Sequence, residues 1–199
     1  MFISFEGIDG SGKSTQARRL AQELARRGQD VVLTREPGGS PGAEEIRRLL
    51  VEGGGERWSP ETELLLFTAA RRDHVERLIQ PALARGSWVI SDRFADSTRV
   101  YQGQVRADLA SLVEELHRLT IGIEPDLTLV IDIDPGVAFA RGMARGGQED
   151  RFEALGLEFQ EKLRAGFHRL VRSHPERMRL IDGTGSADEV AARVLAALP

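Results

Sequence analysis

The chain contains no cysteine, so disulfide staples and thiolate metal sites are both excluded. Lysine is almost missing as well: Lys13 and Lys162 are the only two, and the remaining basic residues are arginines. Tyr101 is the single tyrosine. No run of about 18 apolar residues occurs, so no membrane span is expected. The first residues, Met1-Phe2-Ile3-Ser4-Phe5-Glu6, carry no basic lead and no cleavage-type segment, so no secretion signal is expected either, and the lack of cysteine fits an expected cytoplasmic setting. Internal repeats and low-complexity tracts are absent. The net charge of -4 argues against a chain-wide nucleic-acid surface, so an anionic ligand would need a local basic pocket.

What is present fits one globular domain spanning all 199 residues, with 41% hydrophobic and 29% charged side chains. Five short apolar runs rich in β-branched residues read as strands: Phe2–Phe5, Val31–Thr34, Trp88–Ser91, Leu127–Ile133 and Met178–Ile181. Helical periodicity fills the gaps. It runs through Ala17, Leu20, Ala21 and Leu24, through Leu64 to Leu83, and through Leu109, Leu112, Val113, Leu116 and Leu119. It returns in Leu155, Phe159, Leu163, Phe167 and Leu170, and closes with Val190, Val194 and Leu198. Strands alternating with helices pair in parallel through right-handed crossovers. Continuous apolar strands imply helices on both faces. The expected fold is therefore α/β, a three-layer sandwich around a five-stranded parallel sheet. Ligands of such sheets bind beyond the carboxyl ends of the strands, and the runs end there in Glu6 and Asp9, Arg35 and Glu36, Asp92 and Arg93, and Asp132 and Asp134.

Residues 7–14, Gly-Ile-Asp-Gly-Ser-Gly-Lys-Ser, match the phosphate-binding loop pattern in full, between a strand and an amphipathic helix. Glycines let successive backbone N–H groups point inward, and the helix N-terminus adds partial positive charge. Gly7, Ile8, Asp9, Gly10, Ser11, Gly12, Lys13, Ser14 and Thr15 are the expected ATP-binding set. Lys13 would reach the β- and γ-phosphates, and Ser14 would ligate Mg²⁺. No Asn-Lys-x-Asp segment accompanies the loop, which disfavours a GTPase.

The other strand ends offer a second anion site. Arg35 leads into the Glu36-Pro37-Gly38-Gly39 turn, which displays it either to a phosphate or to a surface ion pair. Asp92 suits a Mg²⁺ contact and Arg93 a phosphate, unless the two pair with neighbours. Phe67 and Arg71 stand four apart on one helical face, where a ring could stack on a base or simply fill the core. A Gly-rich, charged stretch over about residues 141–152 reads as a lid, with Arg145 and Arg151 able to meet the charge of a transferring phosphoryl group.

Together these segments resemble the thymidylate kinase family over nearly the whole chain. The resemblance rests on Glu6 to Thr15, Thr34-Arg35-Glu36-Pro37-Gly38-Gly39, Leu65 to Arg71, Asp92-Arg93, Tyr101-Gln102-Gly103 and Asp150-Arg151-Phe152-Glu153. It implies an ATP:dTMP phosphotransferase working with Mg²⁺. It implies that Asp9 lies near the acceptor sugar, that Arg35 and Arg93 hold its phosphate, and that Phe67 stacks on thymine. Arg71 would donate to thymine O4, Tyr101 would crowd the place of a 2′-hydroxyl, and Ser97 and Gln102 would line the base. Some members carry an arginine where this chain has Gly10, and those without it use basic residues of the lid. Arg145 and Arg151 fit that second, bacterial-type pattern, although the sequence does not say which one approaches the transferring phosphate. A homodimer is implied by the resemblance alone. Two rivals remain open at this stage: a P-loop kinase for another small acceptor, and a nucleotide-dependent switch.

Overall fold

The computed structural model describes residues 1–52, 57–104, 109–145 and 156–199, with the backbone alone for 142–145. Five strands form the sheet: β1 (Phe2–Glu6), β2 (Val31–Arg35), β3 (Trp88–Asp92), β4 (Leu127–Asp132) and β5 (Met178–Asp182). All neighbours are parallel, in the order β2-β3-β1-β4-β5. Nine α-helices connect or flank them among the described residues: α1 (Lys13–Arg26), α2 (Pro41–Val51), α3 (Pro60–His74), α4 (Gln80–Ala84), α5 (Ala95–Thr98), α6 (Ala110–Leu116), α7 (Pro135–Arg145), α8 (Gly156–Ser173) and α9 (Ala187–Ala196). π-helical turns extend α3 over Val75–Ile79, α5 over Arg99–Gln104 and α6 over His117–Ile121.

Helices cover both faces. Ile3, Phe5, Leu129 and Ile131 face Leu20 and Leu24 of α1 and Val190 and Val194 of α9. On the opposite face Phe2 packs with Val75, Ile79 and Phe94, and Val130 packs with Leu163 and Phe167 of α8. The expectation of continuously buried strands holds only for the three inner ones. The edge strands expose one residue each that an inner strand would bury, with Leu33 at 43% and Leu180 at 41%. An edge has a neighbour on one side only, so helices overlap it less completely.

One alternation in β1 shapes the site. Phe2, Ser4 and Glu6 share a face because side chains alternate along a strand, and that face turns from apolar to charged toward the carboxyl end. Ser4 Oγ lies 2.9 Å from Thr128 Oγ1, and Thr128 Oγ1 donates to Asp96 Oδ2 at 3.1 Å. Asp96 is wholly buried and receives two hydrogen bonds from Arg177 and one from Arg99. Burial alone would raise the Asp96 carboxyl, but the Arg177 and Arg99 guanidiniums outweigh it and hold the group below the usual carboxylate range. This polar column fixes α5 and its π-helical extension to β1, β4 and the residue before β5. Between α5 and that extension the chain carries Ser97, Tyr101 and Gln102.

Candidate active site

The sheet order places β1 where the chain connections diverge, one way to β3 and the other to β4. Such a switch point opens a crevice at the carboxyl ends of the strands. A cavity of about 900 Å³ lies there. The phosphate-binding loop occupies its floor. Gly10 has φ +79°, and a Cβ placed on it would sit 2.1 Å from the Ala138 carbonyl oxygen of α7. Any side chain at this position would have to displace α7.

Asp9, Gly10, Gly12, Lys13, Ser14 and Thr15 line the cavity. The other members of the expected ATP set contribute differently. Ile8 is buried in the core beside Val130 and Leu163, and its carbonyl accepts Lys13 Nζ at 3.1 Å. The Gly7 carbonyl accepts from Arg93. Ser11 Oγ is buried without a hydrogen-bond partner among the described residues. Lys13 is almost fully buried, and its ammonium also faces Asp9 Oδ1 at 3.5 Å. Desolvation, then the charge of Arg93, depress the Lys13 ammonium from its ordinary value.

Arg93 reaches the same carboxylate. Its Nη2 donates to Asp9 Oδ1 and, at 3.1 Å, to the Tyr101 hydroxyl, while Nη1 donates to Ser97 Oγ at 2.8 Å. The guanidinium lies over the Tyr101 ring, 5.0 Å from its centroid. Tyr101 in turn donates to Asp9 Oδ2 at 3.0 Å. Burial would raise the Asp9 carboxyl, but Arg93 and Lys13 outweigh it and hold it well below the usual carboxylate range. Burial pushes the Tyr101 phenol upward, so it remains a donor. Asp9 is therefore the joint between the two halves of the cavity: Lys13 approaches from the phosphate loop and Arg93 from the end of β3.

The acceptor-side candidates share this cavity. Arg35, Phe67, Arg71, Arg93, Ser97, Tyr101 and Gln102 all line it, as does Asp92. Arg35 is half exposed, pairs with Glu44 at 3.2 Å and also lines the cavity. Phe67 is partly buried and presents itself to the cavity instead of closing into the core. Arg71 is gripped from behind: Nε donates to Glu36 Oε2 at 2.7 Å and Nη2 to Thr98 Oγ1 at 2.9 Å. Its Nη1 makes no hydrogen bond to any described residue. Glu36 also meets His74 Nδ1 at 3.0 Å, and His74 Nε2 lies 2.8 Å from Thr34 Oγ1. Gly39, at φ +91°, passes so close that a Cβ would stand 2.4 Å from both His74 Nε2 and Thr34 Oγ1. The turn thus needs glycine for steric room as well as for its backbone. The Glu36–Pro37 peptide is cis.

Not every acidic strand end joins the site. Asp132 is taken by Arg164, through two bonds of 2.7 and 2.8 Å, and by His168 at 2.9 Å. Asp134 caps α7 by accepting the Gly136 and Val137 amides. Arg145 ends α7, with its side chain outside the described set, and Arg151 with the rest of the expected lid beyond residue 145 lies outside the described residues. Sequence reasoning missed Arg47, Leu50 and Val51 of α2, which line the cavity. Their spacing puts them on one helical face, and Arg47 donates to the Pro37 carbonyl at 2.7 Å. It also missed Arg18, Phe94 and Thr98 as lining residues.

Glu6, just ahead of the loop, is the acid whose environment is most altered toward neutrality among the described residues. It is fully buried and accepts from the Phe94 amide at 2.7 Å and from Ser97 Oγ at 2.5 Å. Burial, then repulsion from Asp96, push its carboxyl up to about 7 against the pull of Arg93. An acid raised on folding holds its proton more tightly in the folded state, so its contribution to stability falls as pH rises from the ordinary value toward the raised one. Glu6→Gln should remove that slope. Urea unfolding between pH 5 and 7 should show the native chain losing about 2 kcal/mol relative to the variant. Parallel pH dependences of the two proteins would contradict the assignment.

An all-parallel sheet, a phosphate loop at its switch point and a cation-lined acceptor pocket across one cavity define a P-loop nucleoside-monophosphate kinase. The comparisons agree and go further. The family model for thymidylate kinase matches residues 5–194. The chain is 69% identical to the thymidylate kinase of Dinoroseobacter shibae over 98% of its own length and 95% of that protein's. It is 63% identical to that of Ruegeria pomeroyi, over 98% and 92%. A crystal structure of thymidylate kinase from Ehrlichia chaffeensis superposes with a TM-score of 0.80 at 37% identity, covering 100% of this chain and 98% of that one. The chain belongs to the thymidylate kinase family.

Proposed function

We propose that this chain transfers the γ-phosphoryl group of ATP directly to dTMP, giving ADP and dTDP, within a single domain of 199 residues. The observation that carries this is the shared Asp9 carboxylate, touched by Lys13 of the phosphate loop and by Arg93 of the acceptor side. Two phosphates drawn to those cations from opposite ends of one cavity meet head to head. An oxygen of the acceptor phosphate then bonds to the γ-phosphorus as the bond to the bridging β–γ oxygen breaks, and ADP carries away the electron pair. The acceptor oxygen is already ionised, so alignment and charge neutralisation supply the catalysis and no strong general base is needed.

The roles divide as follows. The amides of residues 7–15 cradle the donor phosphates and Lys13 reaches the β- and γ-oxygens. Arg35 and Arg93 hold the acceptor phosphate. Asp9 and Tyr101 border the deoxyribose, Phe67 stacks on thymine, and Arg71 donates to O4. Arg145 and Arg151 supply the lid cations. The residues present suit a magnesium ion: Asp92 Oδ1 is buried without a hydrogen-bond partner among the described residues, in the cavity that Ser14 also lines. Magnesium takes one or two protein oxygens and fills the rest of its shell with water and phosphate, which Asp92 and Ser14 can satisfy. When bound it would supply positive charge that neutralises the donor phosphates. The family relationship also supports a homodimer. No described helix is long and apolar enough to cross a membrane.

An ADP-release assay across dTMP, dUMP, dCMP, dGMP and UMP tests the reading. dTMP should be preferred, with dUMP weaker for want of the methyl group. dCMP should fall at least about tenfold behind, because it offers Arg71 a donor where thymine offers an acceptor. Preference for another monophosphate would overturn the substrate assignment.

A further inference from the structure

Glu63 stands behind the base-reading end of the cavity and does not line it. It lies in the first turn of α3, where the helix dipole favours a carboxylate, and it is only 4% exposed. Gln102, which does line the cavity, donates its Nε2 to Glu63 Oε1 at 3.1 Å. The two residues are 39 apart in sequence. An amide side chain can normally turn over and exchange its donor and acceptor ends. A carboxylate accepts only, so against Glu63 the Gln102 NH₂ has one permitted position. The carbonyl Oε1 must take the other, and it accepts no hydrogen bond from the described residues.

Arg71 is fixed in a similar way with the opposite sign. Glu36, Thr98 and the Phe94 carbonyl occupy its Nε and Nη2, leaving Nη1 as the donor without a partner among the described residues, on a side chain that lines the cavity. A base entering between Phe67 and these two side chains therefore meets one donor and one acceptor. Thymine and uracil present the complement, a carbonyl at C4 and an N–H at N3. Cytosine presents an amino group and a bare ring nitrogen at those positions, so both contacts are mismatched.

We infer that Glu63 is a specificity-determining positioning residue: by holding the Gln102 amide in one orientation it commits the pocket to bases with a 4-keto, N3–H edge. This rests on the reading of the cavity as a pyrimidine-monophosphate site. In the Glu63→Gln variant the partner of Gln102 can accept or donate, and the Gln102 amide becomes free to turn. The ratio of kcat/KM for dTMP over dCMP should fall about tenfold, through a higher KM for dTMP and a lower one for dCMP. kcat for dTMP and KM for ATP should remain within about twofold of native. A purely structural role would instead lower turnover of all acceptors in proportion, leaving the ratio fixed. In a Gln102→Ala background the same substitution should leave the ratio unmoved, because the group it acts through is gone. An equal effect in both backgrounds would overturn the inference.

Should Glu63→Gln fail to fold, the native protein still decides the matter. The Gln102 side-chain NH₂ signal, identified by its loss in Gln102→Ala, should resist hydrogen exchange with and without dTMP. Rapid exchange would overturn the proposal. The two readings fail separately. A native enzyme without pyrimidine preference would remove the dTMP assignment, whereas a native preference that survives Glu63→Gln would remove only the role of Glu63.

Discussion

Lys13→Ala should lower kcat about 10³-fold while leaving the thermal unfolding midpoint at or slightly above that of the native chain. The two halves of this result have one origin. Among the described residues the buried Lys13 ammonium donates only to a carbonyl at 3.1 Å and to Asp9 at 3.5 Å, with Arg93 repelling it. Those surroundings depress its affinity for a proton, so the folded chain holds the charge at a cost before substrate arrives. Removing it costs the fold little. Asp9 is not orphaned, because Arg93 and Tyr101 still hold its two oxygens. In the reaction the balance reverses. The β- and γ-phosphates supply the negative charge that the resting site lacks, and a preorganised cation at the breaking bond is worth roughly 10²–10³ in rate for one group. In the proposed reaction Lys13 also aligns the donor, which brings the expectation to the upper end. Steady-state turnover with saturating dTMP, together with a melting curve, checks both halves. Turnover within tenfold of native in a folded variant would remove Lys13 from the chemistry. A large fall in melting temperature would mean that the ammonium stabilises the fold.

The phosphate loop could be read from sequence because its chemistry is local. Eight consecutive residues supply the turn, the amides and the lysine, and the flanking strand and helix betray themselves by periodicity. Alternation of strands with helices was equally legible, since a parallel sheet needs crossovers. The order β2-β3-β1-β4-β5 was not, because apolar runs do not say which run lies beside which. Everything that depends on that order was hidden with it. Glu36 sits next to Arg35 in the chain, yet its partners are Arg71 and His74, 35 and 38 residues away. Glu63 and Gln102 find each other only after α3 and the π-helical extension of α5 pack together. Ser4 lies inside the apolar run Phe2–Phe5, and in the fold it is one step in the polar column that ends on Asp96. Asp132 had the strand-end position of a site residue, but α8 brings Arg164 and His168 to it and removes it from the cavity. Most of the residues that line the cavity were thus visible in the motifs. The buried carboxylates bonded to them were not, because each is defined by a partner from another part of the chain.

Arg93 offers the sharpest separation of strain from function. It is the only non-glycine residue with positive φ among the described residues, at +73°. An L-residue pays roughly 1–2 kcal/mol to stand in the left-handed region. The conformation is held by the Arg93 amide donating to the Phe5 carbonyl at 2.9 Å and by Ser91 Oγ donating to the Arg93 carbonyl at 2.7 Å. Its effect is to turn the guanidinium back across the end of β1 onto Asp9, Ser97 and Tyr101. Arg93→Ala and Arg93→Gly both delete that guanidinium, so both should lose about 10²–10³ in kcat/KM for dTMP. They lose the same ion pair and leave the same carboxylate behind, so these contributions cancel between them. What differs is the Cβ. Glycine occupies the left-handed region freely while alanine is strained there, an effect only partly offset by the greater freedom of the unfolded glycine chain. The glycine variant should therefore be more stable than the alanine variant by about 1 kcal/mol, read from urea unfolding at one pH. If alanine were as stable as glycine, the backbone at this position would carry no strain. If either variant kept native kcat/KM, the strained turn would have to serve something other than the acceptor phosphate.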